Sequence, residues 1–143
     1  MPNWTKNELL IQNSDENITN KQILRKICTY SSKQKKYRLD FNKIIPMPKT
    51  VFNGRLDDKA RKKYGSNNWY DWSCKNWGVK WNACDTIVYD DDDENITIEF
   101  QTPWGAPLPV INQMKKMFKD YDIYICGCYI GEGYEFAGVF NDE

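Results

Sequence analysis

Four tryptophans, Trp69, Trp72, Trp77 and Trp81, fall within thirteen residues. Left exposed, such a cluster is a platform on which single-stranded bases or a nucleotide stack. Buried, it is a small aromatic core, because each tryptophan removes a large apolar area from water. A second cluster is acidic, with Asp90, Asp91, Asp92, Asp93 and Glu94 in an unbroken run. It lacks the glycine and the distal glutamate of a calcium-binding loop. The run either imitates phosphates in a partner's basic groove or is a solvated hairpin tip that resists edge pairing. Two basic segments complete the candidates: Lys33, Lys35, Lys36 and Arg38 in one, Arg61, Lys62 and Lys63 in the other. Each has a tyrosine beside it, Tyr37 or Tyr64, and each suits contact with a partner's phosphates or plain solvation.

The chain has no histidine. A Ser-His-Asp triad, a Cys-His dyad, a His-ligated metal and a His proton shuttle are therefore excluded. Cysteines occur at 28, 74, 84, 126 and 128, an odd number without a disulfide framework, so free thiols in a reducing compartment are expected. Cys126 and Cys128 would share one face of a strand. With Cys74 and Cys84 they offer four thiolates, but the close cysteine pairs of a zinc site are missing. Glu132 and Glu135 stand near glycines and could do acid–base work with Asp122, yet no spacing selects them. The expectation is a non-enzyme with no catalytic residues, no metal and no cofactor.

These groups need elements to position them. The segment 4–13 reads as a strand. Ser14-Asp15 reads as a helix start, with Ile18, Leu24, Ile27 and Cys28 near one face of a helix over 15–30. Tyr37, Leu39 and Phe41 alternate with polar residues as a half-buried strand. Two prolines break Ile44–Pro48. Asp57–Gly65 reads as a short exposed helix or loop, and Asn67 or Asn68 caps a helix that ends at Gly78. Two β-rich segments flank the acidic run as a hairpin. Pro107 and Pro109 open a helix whose buried stripe is Val110, Ile111, Met114, Met117 and Phe118. Strands at 121–130 and 134–140 close the chain.

This order predicts one α+β domain over 1–143. The sheet is ferredoxin-like and antiparallel-rich, with helices mainly on one face and a Trp-rich helical insertion at about 43–82. The formal net charge is zero, from 20 basic and 20 acidic side chains. That balance hides an asymmetry: residues 1–65 carry 15 basic and 6 acidic side chains, and residues 66–143 carry 5 and 14. The N-terminus lacks a signal-peptide pattern, and no apolar run approaches the ~18–20 residues of a membrane span. A soluble cytoplasmic protein is expected, with no membrane partner.

Several motifs extend along the chain: Met-Pro-Asn-Trp at the start, Phe41–Pro48, Asn68-Trp69-Tyr70-Asp71-Trp72 with Asn76–Ala83, and Phe100–Ile111 with its Gln-Thr-Pro-Trp-Gly-Ala-Pro. Together they resemble the YubB-type ferredoxin-like domain of plasmid- and phage-encoded proteins. The resemblance implies that fold and a mobile-element origin, and it carries no catalytic residues. Small phage proteins without chemistry of their own often disable host defences. The expected function is thus a non-catalytic, anti-CRISPR-like inhibitor that binds a host defence protein, such as a CRISPR–Cas component, through a charged face. The competing expectation is a single-stranded nucleic-acid-binding module that uses the basic loops and exposed aromatics.

Overall fold

A computed structural model describes residues 2–90, 92 and 94–140. The centre of the fold is strand β1, Trp4–Asn13. Its alternate residues Thr5, Asn7, Leu9, Ile11 and Asn13 are buried, and Lys6, Glu8 and Gln12 face out. The period of two required of a half-buried strand is thus present, with its apolar members confined to the middle. β1 pairs antiparallel with both β5 (Asn95–Pro103) and β6 (Ile123–Gly131) along nearly its whole length. β4 (Cys84–Tyr89) joins the far side of β5, and β7 (Ala137–Val139) joins β6. The resulting five-stranded antiparallel sheet has the order β4-β5-β1-β6-β7.

Helices α1 (Asn20–Ile27) and α4 (Leu108–Met117) cover the inward face of this sheet. Their buried residues Ile23, Leu24, Ile27, Val110, Ile111 and Met114 join Leu9, Ile11, Ile96, Ile98, Phe100 and Ile125 in one core. Phe118 closes the stripe of α4, and Met117 packs only at its margin. Gly127 stands opposite Leu9 with φ +155°, where a Cβ would lie 2.1 Å from the Glu8 carbonyl oxygen. The central strand pair therefore requires glycine there.

Three elements depart from their sequence expectations. α1 begins at Asn20, not at 15. Thr19 forms a capping box with Gln22, whereas Asp15 uses its carboxylate to hold a turn by accepting from the Asn17 and Asp122 amides. The strand expected at 37–41 is β3, Lys36–Leu39, and it pairs with β2, Cys28–Ser31, in a separate two-stranded sheet. The excursion from the main sheet thus spans about 28–82, longer than the insertion expected at 43–82. The last strand is only three residues long, Ala137–Val139, and Tyr134, at φ +60°, belongs to a turn closed on Gly131 instead.

Helices α2 (Asp58–Tyr64) and α3 (Trp69–Asn76) lie within the excursion, giving four α-helices among the described residues. No helix of the described residues is long and apolar enough to cross a membrane. With Thr19 as the N-cap, Thr19→Ala should cost about 1 kcal/mol of stability in denaturant unfolding. Ser14→Ala changes it by less than about 0.5 kcal/mol, as expected of a surface site away from a cap.

Candidate binding site in the tryptophan-rich insertion

α3 starts where Asn68 makes it start. The buried Asn68 side chain accepts from the Asp71 amide at 2.9 Å and donates to Gly65 O and Asp71 Oδ2. The helix stops before Gly78, whose φ of +79° is one that L side chains rarely adopt. A Cβ at Gly78 would also meet the Pro109 ring at 2.9 Å, so the end of α3 fits tightly against the start of α4.

The four tryptophans divide into two roles. Trp77 is 3% exposed, packs edge-on against Phe41 and Trp72, and donates its indole N–H to Ile45 O at 2.9 Å. Trp72 is half-buried against the core. These two fasten the excursion to the sheet through Phe41, which in turn meets Phe100 of β5 edge-on. Trp69 and Trp81 keep part of their surface open. Trp69 is anchored by its N–H to Gly54 O, and Trp81 lies against Trp4 with ring centroids 6.1 Å apart.

Sequence segments far apart meet at this corner. Asn7 of β1 donates to Thr102 Oγ1 at 3.0 Å, and the Thr102 hydroxyl donates to Gly105 O. The Trp104 amide bonds Asn3 O at 2.8 Å. Asn82 accepts from the Phe41 amide and donates to Asp40 Oδ1. The recurring Trp, Asn, Thr and Gly residues of the motifs are thus chiefly builders of one corner.

Between the loop after Phe41 and helix α3 lies a cleft of about 430 Å³. Trp69, Trp77 and Trp81 give it aromatic surface, and Lys49 and Lys80 give it positive charge; no carboxylate lines it. The Lys80 ammonium sits 4.2 Å from the centroid of the Trp81 ring. Ser73, 1% exposed, lies in its wall. Such a lining suits a flat ring carrying negative charge.

The other candidates are dispersed. Lys33, Lys35, Lys36 and Arg38 are exposed on the β2–β3 hairpin, and Arg61, Lys62 and Lys63 are exposed on α2. Tyr64 stacks on Phe52 at 4.2 Å, so it braces α2 and is engaged on that face. Of the acidic run, Asp91 and Asp93 lie outside the described residues. Asp90 accepts from the Asn20 amide, while Asp92 accepts from the Glu94 and Asn95 amides. Glu94 is exposed, and its main-chain oxygen accepts from the Asn13 amide at 2.6 Å. The described part of the tip is therefore built into a turn. The Asn13 and Asn20 side chains, bonded to each other at 3.1 Å, tie that turn to the start of α1.

Cys84 lies on β4 and Cys126 and Cys128 on β6, three strand spacings away, which is about 14 Å. No group of three or more metal-ligating side chains assembles among the described residues.

Three further features lie outside those candidate residues. Trp104, at φ +68°, is 59% exposed. Glu8 and Glu99 face each other directly on the open side of the sheet. The excursion is also a charge compartment, with 13 basic and 4 acidic residues in 28–82 against 7 and 16 in the remainder. The cross-strand pair and the charge compartment depend on where the excursion leaves the sheet and on strand register, neither of which is written locally. No family pattern, no curated protein and no solved structure matches the chain.

Two predictions follow from the electrostatics. Backbone amides donating to Asp92 hold its carboxyl below its ordinary value of 3.8. A depressed folded-state value means the turn gains from ionisation above about pH 4 and loses that gain as pH falls through the folded value. An NMR titration should therefore find the Asp92 midpoint below 3.8, with the Glu94 and Asn95 amides shifting alongside it. Burial pushes the Cys28 thiol up to about 12. At pH 8 a thiol reagent should label exposed Cys74 and Cys128 in the folded chain and reach Cys28 only on unfolding.

Proposed function

We propose that this chain is a non-catalytic binding protein of a phage or other mobile element. It acts in the host cytoplasm and inhibits a host defence protein, such as a CRISPR–Cas component, through the basic face of its insertion. The carrying observation is the separation of charge along the fold: the excursion 28–82 carries 13 basic and 4 acidic side chains and the remainder carries 7 and 16, with only Glu8, Asp85 and Glu99 of those acids on its strands and helices. A surface divided in this way steers association with a partner of opposite sign and discriminates against others. The motif likeness to YubB-type domains supplies the genomic setting. The strand order supports a ferredoxin-like reading: β6-β1-β5-β4 is a split β-α-β sheet, with β7 added beside β6 and β2–β3 carried in the excursion.

A second reading, a single-stranded nucleic-acid-binding module, is favoured by the cleft where tryptophans and lysines meet. The open sheet face supports it less, because Glu8 and Glu99 sit at its centre. The test is affinity capture from lysates of several hosts that carry defence systems. The bait is the wild-type chain or the variant Lys33→Glu, Lys36→Glu, Arg61→Glu, Lys63→Glu, whose sites are all exposed. The wild type should retain a defence protein, and the variant should retain it at least about tenfold less. Capture of no defence protein in any host, or equal capture by both baits, contradicts the reading.

A further inference from the structure

We propose that the insertion cleft is a binding site for a nucleoside phosphate, with the base against Trp69 and Trp81 and the phosphate between Lys49 and Lys80. The ring planes are partly set in advance. The indole N–H groups of Trp69 and Trp77 are committed to Gly54 O and Ile45 O, so those rings cannot swing freely to close the cleft. Pre-set aromatic surfaces lower the ordering cost of binding. Polar groups remain for a base edge: neither the Asn53 amide nor the Trp81 indole N–H has a hydrogen-bond partner among the described residues, and both residues line the cleft.

The charge favours an anion. Two lysines and no carboxylate line the cleft, inside a segment of 13 basic and 4 acidic residues. The Lys80 ammonium lies over the Trp81 ring, and a base stacking on that face takes its place and frees the ammonium to meet the phosphate. At about 430 Å³ the cleft falls within the ~300–1,000 Å³ range of small-molecule sites. The larger hollow on the open sheet face does not share this chemistry. It holds Glu8, Glu99 and Asp85 against Lys6, and would repel a phosphate.

The inference is independent of the defence-protein reading and gives the nucleic-acid reading a place on the molecule. Its ligand has two sources, a free mononucleotide or one nucleotide of a single strand. The experiment follows the indole N–H resonances of the full chain by NMR. The probes are thymidine, thymidine monophosphate and an oligothymidylate of about 12 nucleotides, within the range of single-strand site sizes. The Trp69 and Trp81 signals should shift saturably, and thymidine should bind at least about tenfold more weakly than its phosphate.

The variant Lys49→Gln, Lys80→Gln should keep the melting temperature and lose about tenfold in affinity for the monophosphate. Shifts with the monophosphate alone assign the site to a free nucleotide, and shifts with the oligonucleotide alone assign it to a strand. Failure of both phosphate probes to move Trp69 and Trp81 overturns the proposal. So does undiminished binding by the double lysine variant, even if the chain still captures a defence protein.

Discussion

The central strand β1 constrains everything else. It is hydrogen-bonded along nearly its whole length to β5 on one side and β6 on the other. Its inward face is apolar only at Leu9 and Ile11. Thr5 and Asn7 lie at one end and Asn13 at the other, all buried. Buried polar groups are costly unless they are bonded, so each end brings partners to it, although Thr5 Oγ1 and Asn7 Oδ1 are left without a hydrogen-bond partner among the described residues. Asn7 draws in Thr102 and with it the Gly105 turn, and Asn13 draws in Ile18 O and Asn20. The two ends of one strand thereby organise the tryptophan corner and the acidic turn.

At the corner, the excursion is held by shape as well as by bonds. Phe41, Trp77 and Trp72 form an edge-to-face chain that reaches Phe100 of the sheet. Aromatic edge contacts contribute roughly 0.5–1.5 kcal/mol each beyond area burial. Cys28, Leu39, Ile44 and Val79 of the excursion are buried in the core as well, whereas α2 buries none of its side chains. A segment rooted by these contacts, with its hairpin tip and α2 left solvated, can carry a high density of like charge without crowding it into the core. That physical arrangement allows 13 basic residues to share one excursion.

Much of this was legible in the sequence. The strand over 4–13, the proline-opened stripe of α4, the cap at Asn67 or Asn68 and the Gly78 stop all correspond to observed elements, because each signal is local. The start of α1 was misread since Ser14-Asp15 has the chemistry of a cap but is spent on a turn to β6, while Thr19 and Gln22 form the actual box. The separate β2–β3 sheet was missed because alternation identifies a strand and not its partner. The tryptophans were recognised as a cluster. Which of them sink and which stay open is decided by contacts with Phe41, Ile45 and Trp4, tens of residues away. The charge count by halves likewise blurred a boundary that structure draws at about residue 28.

The central claim is that the positive excursion is the face that meets the partner. Lysine footprinting of the chain, free and on its captured partner, tests it most directly, because lysines mark both compartments. Lys33, Lys36, Lys62 and Lys63 of the excursion should be shielded from amine modification in the complex, and Lys116 and Lys119 beside α4 should label as in the free chain. Equal labelling of the excursion lysines in both states, or shielding confined to Lys116 and Lys119, would contradict the account.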